Sequence, residues 1–261
     1  MTLTTPFDKV IEAIKRRGFH NHRLDEHSDV VSEGIFADLV EQCEPLRGDV
    51  ATGIVKRWLN VRTPGARERK IDLLIGEPGS DGKPDLSKIR IGVENKSVIT
   101  AHRNRDARFD DLNEALKVLH GAKSEAVLVA TVLIGLASRV LNVPDGIKKR
   151  YKNRPRKFKN LILPRLSSGD QTLWEEFDWA ISKNREDDPR KTVEKFRSLP
   201  KRRPSHTHVT GYDYLLLVPV YIDNVSPPHL PRLNNLGIDV DAEYAAMLIQ
   251  ICKAYHARWH L

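Results

Sequence analysis

Residues 69–108 read RKIDLLIGEPGSDGKPDLSKIRIGVENKSVITAHRNRDAR, and this stretch decides the fold. It contains two short apolar runs, Ile71–Ile75 and Ile89–Val93, separated by a segment rich in Gly, Pro and Asp. Such a segment favours a turn, whereas short runs of β-branched and other apolar residues favour strands. We therefore expect two neighbouring strands joined by a turn.

Charged residues accompany both apolar runs. Asp72 lies in the first run, Glu94 directly follows the second, and Lys96 comes two residues later. Because residues two apart on a strand point to the same face, Glu94 and Lys96 are expected side by side. An unpaired acid between apolar strands costs several kcal/mol, so such acids usually have a metal ion or a cation as partner. The pattern predicts a metal-and-water site; the alternative is a surface ion pair between Glu94 and Lys96, with an unrelated Asp72.

Hydrophobic periodicity predicts further helices and strands along the chain. Apolar residues at helical spacing predict four helices, over Phe7–Arg17, Ser32–Cys43 (with Ser32 as N-cap), Phe109–Leu119 and Ala242–Arg258. Three more strands are predicted over Thr52–Val61, Glu125–Leu136 and Tyr212–Ile222. Pro219 favours an edge position or a bulge for the last of these. This order predicts an α/β fold, in which a mixed central β-sheet is flanked by helices on both faces.

The chain of 261 residues is long enough for one large domain or two small ones. We predict a single domain over residues 1–261. Its core is expected to comprise approximately residues 30–140 and 206–261. A basic, partly helical insertion is expected between them, over approximately residues 145–205, because Lys and Arg are dense there.

The formal net charge of +8 favours a polyanionic partner, nucleic acid first and an acidic membrane surface second. The longest apolar run, Ala126–Ala137, is too short to cross a bilayer, and the N-terminus lacks a signal pattern. We therefore expect a soluble, cytoplasmic protein with no membrane partner. Cys43 and Cys252 each lie in an apolar, helix-like context and are read as small hydrophobic residues, with a disulfide between them left open.

Three histidines, His20, His22 and His27, lie in or beside the polar segment Asn21–Asp29. They lack the regular spacing of metal ligands, so we predict a solvated loop there rather than a metal site.

The combination of Asp72 with Glu94-Asn95-Lys96, followed by a helix and a buried strand, resembles the PD-(D/E)XK nuclease superfamily, of which type II restriction endonucleases are members. The resemblance covers roughly residues 30–136 and implies a restriction-endonuclease-like core. The family's Pro is absent before Asp72, where Ile71 stands, but a literal Pro84-Asp85 occurs nine residues before Glu94. Asp85 is therefore a rival for the first acid; we prefer Asp72 because its surroundings are strand-like.

The resemblance implies a site for one or two Mg²⁺ ions. Its ligands would be the carboxylates of Asp72 and Glu94 and the backbone carbonyl of Asn95, since Mg²⁺ favours oxygen ligands and retains several waters. Lys96 would hold or polarise the attacking water and stabilise developing negative charge. Many members add a glutamate from the helix before the sheet, and Glu33 is the candidate here. His102 is assigned a structural hydrogen bond rather than a part in the chemistry.

Two basic segments are candidates for contact with nucleic acid. Arg103, Arg105 and Arg108 follow the proposed site at the start of a helix, whose N-terminal amides attract phosphate. The insertion carries a run of cations without acids, which predicts strong, salt-sensitive binding to phosphates; its members are Lys148, Lys149, Arg150, Lys152, Arg154, Arg156, Lys157 and Lys159. Lys201-Arg202-Arg203 is a possible second contact. Trp174, Phe177 and Trp179 are assigned to core packing in preference to base stacking.

These features predict a Mg²⁺-dependent endonuclease that hydrolyses double-stranded DNA, and specifically a sequence-specific type II restriction enzyme. A homodimer would allow two sites to cut opposite strands of a symmetric target. The alternatives are a DNA repair or recombination nuclease of the same fold, a non-catalytic basic nucleic-acid-binding protein, and a soluble protein with an unrelated small-molecule activity.

Overall fold

The computed structural model describes residues 4–22, 24–63, 69–206, 208–232 and 234–260. Its centre is a five-stranded mixed sheet of order β1-β2-β3-β4-β7, and a two-stranded sheet, β5-β6, lies in the insertion. The strands are β1 Lys56–Thr63, β2 Arg69–Pro78, β3 Pro84–Val98, β4 Val127–Gly135, β5 Arg139–Leu141, β6 Ile181–Lys183 and β7 Tyr214–Val220. The predicted α/β class with a mixed central sheet is confirmed.

The deciding stretch forms the antiparallel hairpin of β2 and β3, as predicted. Its turn is shorter than the sequence suggests, because β3 already begins at Pro84, which pairs with Pro78. Gly82 has a φ of 76° in this turn, a conformation that residues with a Cβ seldom adopt. From β3 the chain crosses to β4 and then to β7, both in parallel pairings. β7 is an edge strand of this sheet, which agrees with the position of Pro219.

The helices are α1 Pro6–Arg17, α2 Asp25–Gln42, α3 Glu44–Ala51, α4 Ala101–Ala122, α5 Lys148–Arg150, α6 Pro155–Lys157, α7 Leu163–Ser168, α8 Leu173–Glu176, α9 Asp188–Arg197 and α10 Val240–Trp259. Two π-helical turns, Val143–Ile147 and Phe158–Ile162, and one 3₁₀ turn, Asp178–Ala180, complete the insertion.

Helices α2 and α4 cover opposite faces of the sheet. The side chain of Asn95 on β3 reaches Ser32 of α2, whereas a Cβ added at Gly92 would meet Leu119 of α4. Positions 92 and 95 differ by an odd number of residues and so point to opposite faces of a strand. This arrangement explains why β4 and the middle of β3, Ile89–Val93, are mostly apolar: the sheet is buried on both sides there.

Two helices begin earlier in the structure than the sequence predicts. α2 starts at Asp25 rather than Ser32, and Ser32 is fully buried in its middle instead of capping it. α4 starts at Ala101 rather than Phe109. In both cases the first turns are polar and lack a strong apolar stripe, so periodicity failed to detect them.

The insertion has a small core of its own, separate from the main core around the sheet. This second cluster is built from Leu141, Val143, Ile147, Ile162, Leu166, Leu173, Phe177, Ala180 and Val225. Helix α9, although inside the predicted insertion, packs in the main core through Val193 and Phe196. The segment with its own core, which we call the lobe, therefore runs from Arg139 to Lys183, shorter than the predicted 145–205.

Cys43 and Cys252 form a disulfide, with their Cα atoms 5.3 Å apart. It joins the junction of α2 and α3 to α10, so these cysteines are a covalent cross-link and not only small apolar side chains. No helix among the described residues is long and apolar enough to cross a membrane.

Candidate active site

The candidate site forms where β2 and β3 part. The register of the two strands pairs Leu73 with Val93, and β3 then continues to Val98 alongside β4. At this fork the Asp72 carboxylate replaces a strand partner: its Oδ2 accepts a hydrogen bond of 2.7 Å from the backbone N–H of Asn95. The fork therefore fixes the first acid beside the residues that follow Val93.

Lys96 lies between the two acids. Its Nζ bonds to Glu94 Oε2 and lies 3.6 Å from Asp72 Oδ2. Only 4% of the Glu94 side chain and 14% of the Lys96 side chain are exposed. The structure thus brings Asp72, Glu94 and Lys96 together, which strand spacing alone predicts for the last two.

This cluster contains more negative than positive charge. Burial, assisted by Asp72, raises the pKa of Glu94 to about 7, although Lys96 offsets part of the shift. Burial also disfavours the Lys96 ammonium, but attraction to Glu94 and Asp72 prevails and raises its pKa. Lys96 therefore stays protonated. A second cation beside the two acids would favour the ionised form of Glu94.

The side chain of Asn95 anchors the site to its neighbours. Its Nδ2 donates to Ser32 Oγ of α2 at 2.9 Å, and its Oδ1 accepts from Thr131 Oγ1 of β4 at 2.7 Å. Because the backbone of Asn95 also holds Asp72, these bonds connect α2, β2, β3 and β4 at one point. Ser32 and Thr131 are positioning residues that the sequence did not reveal.

The site opens into a cleft of about 640 Å³. Asp72, Asn95 and Lys96 lie at its base. One wall is the start of α4, and the other is made by α1, α2 and the segment that connects them. The cleft is lined by Phe7, Val10, His22, Leu24, Asp25, His27, Ser28, Val31, Asp72, Asn95, Lys96, Ser97, Arg103, Asn104, Ala107, Arg108, Thr131 and Leu133.

The rival acid Asp85 is remote from this site. It lies near the turn of the hairpin, nine residues before Glu94 on the same strand, or about 30 Å at the usual rise per residue. Its Oδ1 accepts bonds from the hydroxyl and the amide of Ser87, which lower the pKa of Asp85. Geometry therefore favours Asp72 as the partner of Glu94.

Glu33 has a different setting from the one predicted. Its Oε2 lies 2.8 Å from Arg57 Nε on β1, and about 40% of its side chain is exposed. It is not among the described residues that line the cleft. On α2 it follows Ser32, which does face Asn95, and the next residue of a helix points about 100° away.

The arginines after Lys96 divide into two groups. Arg103 and Arg108 line the cleft, and Arg108 Nη1 also bonds to Asp111 Oδ2 at 2.7 Å. Arg105 is outside the described lining of the cleft and bonds to its neighbour Asp106. Helical spacing explains the division, since positions 103, 104, 107 and 108 share one face of α4.

The prediction of a solvated histidine loop is wrong. The residues from Asp25 belong to α2, and His22 and His27 are buried and line the cleft. His27 Nε2 lies 2.8 Å from the carbonyl oxygen of Asn21. Polar composition suggested exposure, but packing of α1 and α2 on the sheet buries these rings.

The cations of the lobe are exposed, and within the described residues none of them has a carboxylate partner; they are Lys148, Lys149, Arg150, Lys152, Arg154, Arg156, Lys157 and Lys159. By contrast, Arg17, Arg57 and Arg232 elsewhere on the surface all pair with acids. Phe177 is buried in the lobe as predicted, whereas Trp179 is 44% exposed and lies under the Arg150 guanidinium.

Arg202 is a structural residue rather than a surface contact. It and Arg258 both bond to Asp213 just before β7, and all three side chains are at most 1% exposed. Asp213 Oδ2 also accepts from the Leu128 amide at 2.9 Å. The predicted nucleic-acid contact at Lys201-Arg202-Arg203 therefore fails for its central residue.

The residues at the fork fit a hard divalent cation. Within the described part of the chain, no group of three His, Cys, Asp or Glu side chains could hold a metal ion. The fork instead offers two carboxylates and a backbone carbonyl, a donor set that suits Mg²⁺ because this ion completes its shell with water. Burial and Asp72 raise the pKa of Glu94, so a cation bound at the same point would favour the ionised carboxylate.

No protein-family model, curated protein or solved structure matches this chain.

Proposed function

We propose that this protein is a Mg²⁺-dependent endonuclease that hydrolyses phosphodiester bonds in double-stranded DNA. The observation that carries the proposal is the grouping of Asp72, Glu94 and Lys96 at the fork of β2 and β3, where Asp72 and Lys96 line a cleft with two arginines on one wall. Two acids around one lysine suit phosphoryl transfer, in which negative charge develops and must be stabilised.

Mg²⁺ would be held by the Asp72 and Glu94 carboxylates and the Asn95 carbonyl, and when bound it supplies charge neutralisation and orients water. Asp72 is already fixed for this role by its bond from the Asn95 amide. Ser32 and Thr131 bond to the Asn95 side chain and so restrain the part of β3 that carries the Asn95 carbonyl.

Lys96 would stabilise charge on the phosphoryl oxygens. Its raised pKa keeps the ammonium protonated, so it acts as a cation and not as a proton acceptor. Arg103 and Arg108 would position the flanking phosphates, because both residues line the α4 wall of the cleft.

The lobe would supply most of the affinity for DNA. Its exposed cations lack acidic partners among the described residues, so they form an uncompensated positive surface, unlike the paired arginines elsewhere. Such a surface binds phosphates without choice of sequence and releases counterions.

A sequence-specific type II restriction enzyme acting as a homodimer is the finer proposal, and it rests on the resemblance in the motif. The fork provides one site per chain, and cutting both strands of a symmetric target requires two. A repair or recombination nuclease with the same site is the second candidate within the fold.

The direct test is incubation of the protein with long duplex DNA and Mg²⁺, and then with EDTA. Discrete fragments that vanish on chelation support the restriction enzyme, whereas a smear or cutting only at junctions supports the repair nuclease. Binding to DNA with no cleavage under any divalent cation contradicts the catalytic proposal.

Replacing Lys148, Lys149 and Arg150 by Ala tests the lobe. We expect weaker DNA binding, and a slope of log K against log salt that is shallower by up to about 0.9 for each DNA phosphate that the variant no longer neutralises. An unchanged slope would exclude these residues from the interface. Lys9→Ala, Arg47→Ala and Lys253→Ala together form a charge-matched control on α1, α3 and α10, outside the lobe.

A further inference from the structure

The two walls of the cleft differ in chemistry. The α4 wall carries two cations, Arg103 and Arg108. The opposite wall, from α1 and α2, presents mainly apolar side chains and imidazoles; its described members are Phe7, Val10, His22, Leu24, Asp25, His27, Ser28 and Val31. A groove that contacted only the sugar-phosphate chain would be cationic on both sides.

The described lining of the α1–α2 wall offers phosphate no cation. None of these residues is Lys or Arg, and the acid among them, Asp25, lies 3.8 Å from Lys70 Nζ. Burial lowers the pKa of His27, so its imidazole is neutral near pH 7. This wall therefore suits a neutral ring with an apolar face better than an anion.

An exposed apolar residue at the rim, Leu24, also favours a neutral ring on this wall. Leu24 is 38% exposed at the start of α2, although water-facing positions there are otherwise polar. Further in, Leu133 of β4 lines the base of the cleft beside Ser97. Apolar side chains thus line the cleft both at its rim, through Leu24, and at its floor near Lys96, through Leu133.

The volume of the cleft restricts the occupant. About 640 Å³ is the size of a small-ligand site and holds one or two nucleotides, whereas a DNA duplex is about 20 Å across and stays outside. The cleft thus has room for a phosphate at Asp72 and Lys96 together with its own nucleotide, once that nucleotide has left the stack.

We propose that the cleft binds an unstacked nucleotide at the reacting phosphate, with its base against the α1–α2 wall and its phosphate between Lys96 and the arginines of α4. The inference rests on the proposed function and adds the form of the substrate. The nucleotide has two possible sources: a base rotated out of a duplex, which costs a few kcal/mol of stacking and pairing, or a strand that is already single.

Calorimetric titration with Ca²⁺ present tests the base site directly. We expect dAMP to bind the full-length protein about tenfold more tightly than deoxyribose 5-phosphate, because only dAMP places a base on the apolar wall. Leu24→Gln should remove most of this preference and leave deoxyribose 5-phosphate binding unchanged. Ile249→Gln is the matched control, since Ile249 is an exposed apolar residue on α10 outside the described lining of the cleft.

Equal affinity for the two probes would overturn the inference, as would a preference for dAMP that Leu24→Gln leaves intact. Leu24 is exposed, so this variant is expected to fold; a thermal melt matching that of Ile249→Gln checks this.

Fluorescence of 2-aminopurine distinguishes the two sources. A rise when the base is placed in a duplex indicates rotation out of the stack, and a change only in the single-stranded oligonucleotide indicates a single-strand substrate. No change in either overturns the inference. Mg²⁺-dependent cleavage, measured on the same preparation, separates the two proposals. Cleavage without base binding contradicts only the nucleotide site proposed here. Base binding without cleavage contradicts only the proposed nuclease activity.

Discussion

Two groups of buried charge lie in the same fold and are built oppositely. Before β7, one carboxylate, Asp213, faces two guanidiniums, those of Arg202 and Arg258. At the fork of β2 and β3, two carboxylates, Asp72 and Glu94, face one ammonium. The first group has an excess of cations and the second an excess of acids.

The surroundings of the Asp213 group satisfy its excess charge. Arg202 Nη1 donates to the carbonyl of Ser124 at 2.6 Å, and Arg258 Nη1 donates to that of Glu125 at 3.0 Å. The excess of cations also affects a neighbour: burial, together with Arg202, lowers the pKa of His120 to about 4. This group is closed and holds the structure together.

At the fork, two acids face one ammonium among the described residues, although the Asn95 amide also donates to Asp72, and the group opens into the cleft. Burial, assisted by Asp72, raises the pKa of Glu94, so a second cation here would favour its ionised form. The contrast suggests a general criterion: a buried cluster saturated by its own protein is structural, and one left short of a counter-charge beside a cleft is a candidate for an exogenous cation.

The largest expected effect is on cleavage. Asp72→Asn and Lys96→Ala should each reduce Mg²⁺-dependent DNA cleavage at least about 1,000-fold, since one removes a metal ligand and the other the cation at the reacting phosphate. Gel assays of initial rates measure this. Asp85→Asn is the matched control and should retain activity; the reverse result would move the first acid to Asp85.

The next effect is on stability and has the opposite pattern. Asp213→Asn should lower the free energy of unfolding by about 3–5 kcal/mol, because it removes the carboxylate charge to which two buried guanidiniums bond. Asp72→Asn should change it by no more than about 1 kcal/mol, since it relieves an excess of acid. Urea denaturation monitored by circular dichroism measures both; equal losses would erase the distinction between the two groups.

The third effect is a pH dependence of the metal-free protein. The pKa of Glu94 rises from 4.5 to about 7 on folding, so its contribution to stability is complete below pH 4.5 and is lost as pH rises through 7. The loss is about 3 kcal/mol, and Lys96, Asp72 and Asp111 are the charges that set it. Urea denaturation in EDTA across this pH range measures the loss, with Glu94→Gln as the comparison. If the free energy of unfolding of the variant falls with pH in the same way, the dependence comes from another group.

The smallest effect is stabilisation by a divalent cation. At ten times its dissociation constant, Ca²⁺ or Mg²⁺ should raise the free energy of unfolding by about 1.4 kcal/mol, because the ion binds only the folded fork. A thermal shift without DNA detects this. The shift should vanish in Asp72→Asn and persist in Asp213→Asn at temperatures where that variant is folded; persistence in Asp72→Asn would place the ion outside the fork.

Much of the fold was predictable because its pattern is local. The hairpin, the buried strand β4 and the edge position of β7 all follow from apolar runs and from the positions of Gly and Pro. The starts of α2 and α4 were missed because their first turns are polar and gain their stability from packing on the sheet. The packing of α9 in the main core was not predictable, since the helix is basic outside and apolar inside.

The candidate site was predictable only where its residues share a strand. Glu94 and Lys96 follow from a spacing of two, and their contact is present. The choice of Asp72 over Asp85 needed the register of β2 with β3. The placement of Glu33 against Arg57, and the parts played by Ser32, Thr131 and the histidines, depend on how α1 and α2 lie on the sheet.

The disulfide between Cys43 and Cys252 closes a covalent ring that contains the whole sheet and the lobe, since the two cysteines are 209 positions apart in the sequence. In the unfolded chain such a ring removes conformational freedom worth about 5 kcal/mol on the chain-entropy model. It also changes what a protease achieves: a cut in the lobe opens the ring but leaves the two fragments joined through the disulfide, and they separate only after reduction. The lobe can thus be nicked without any part of the fork being lost from the molecule.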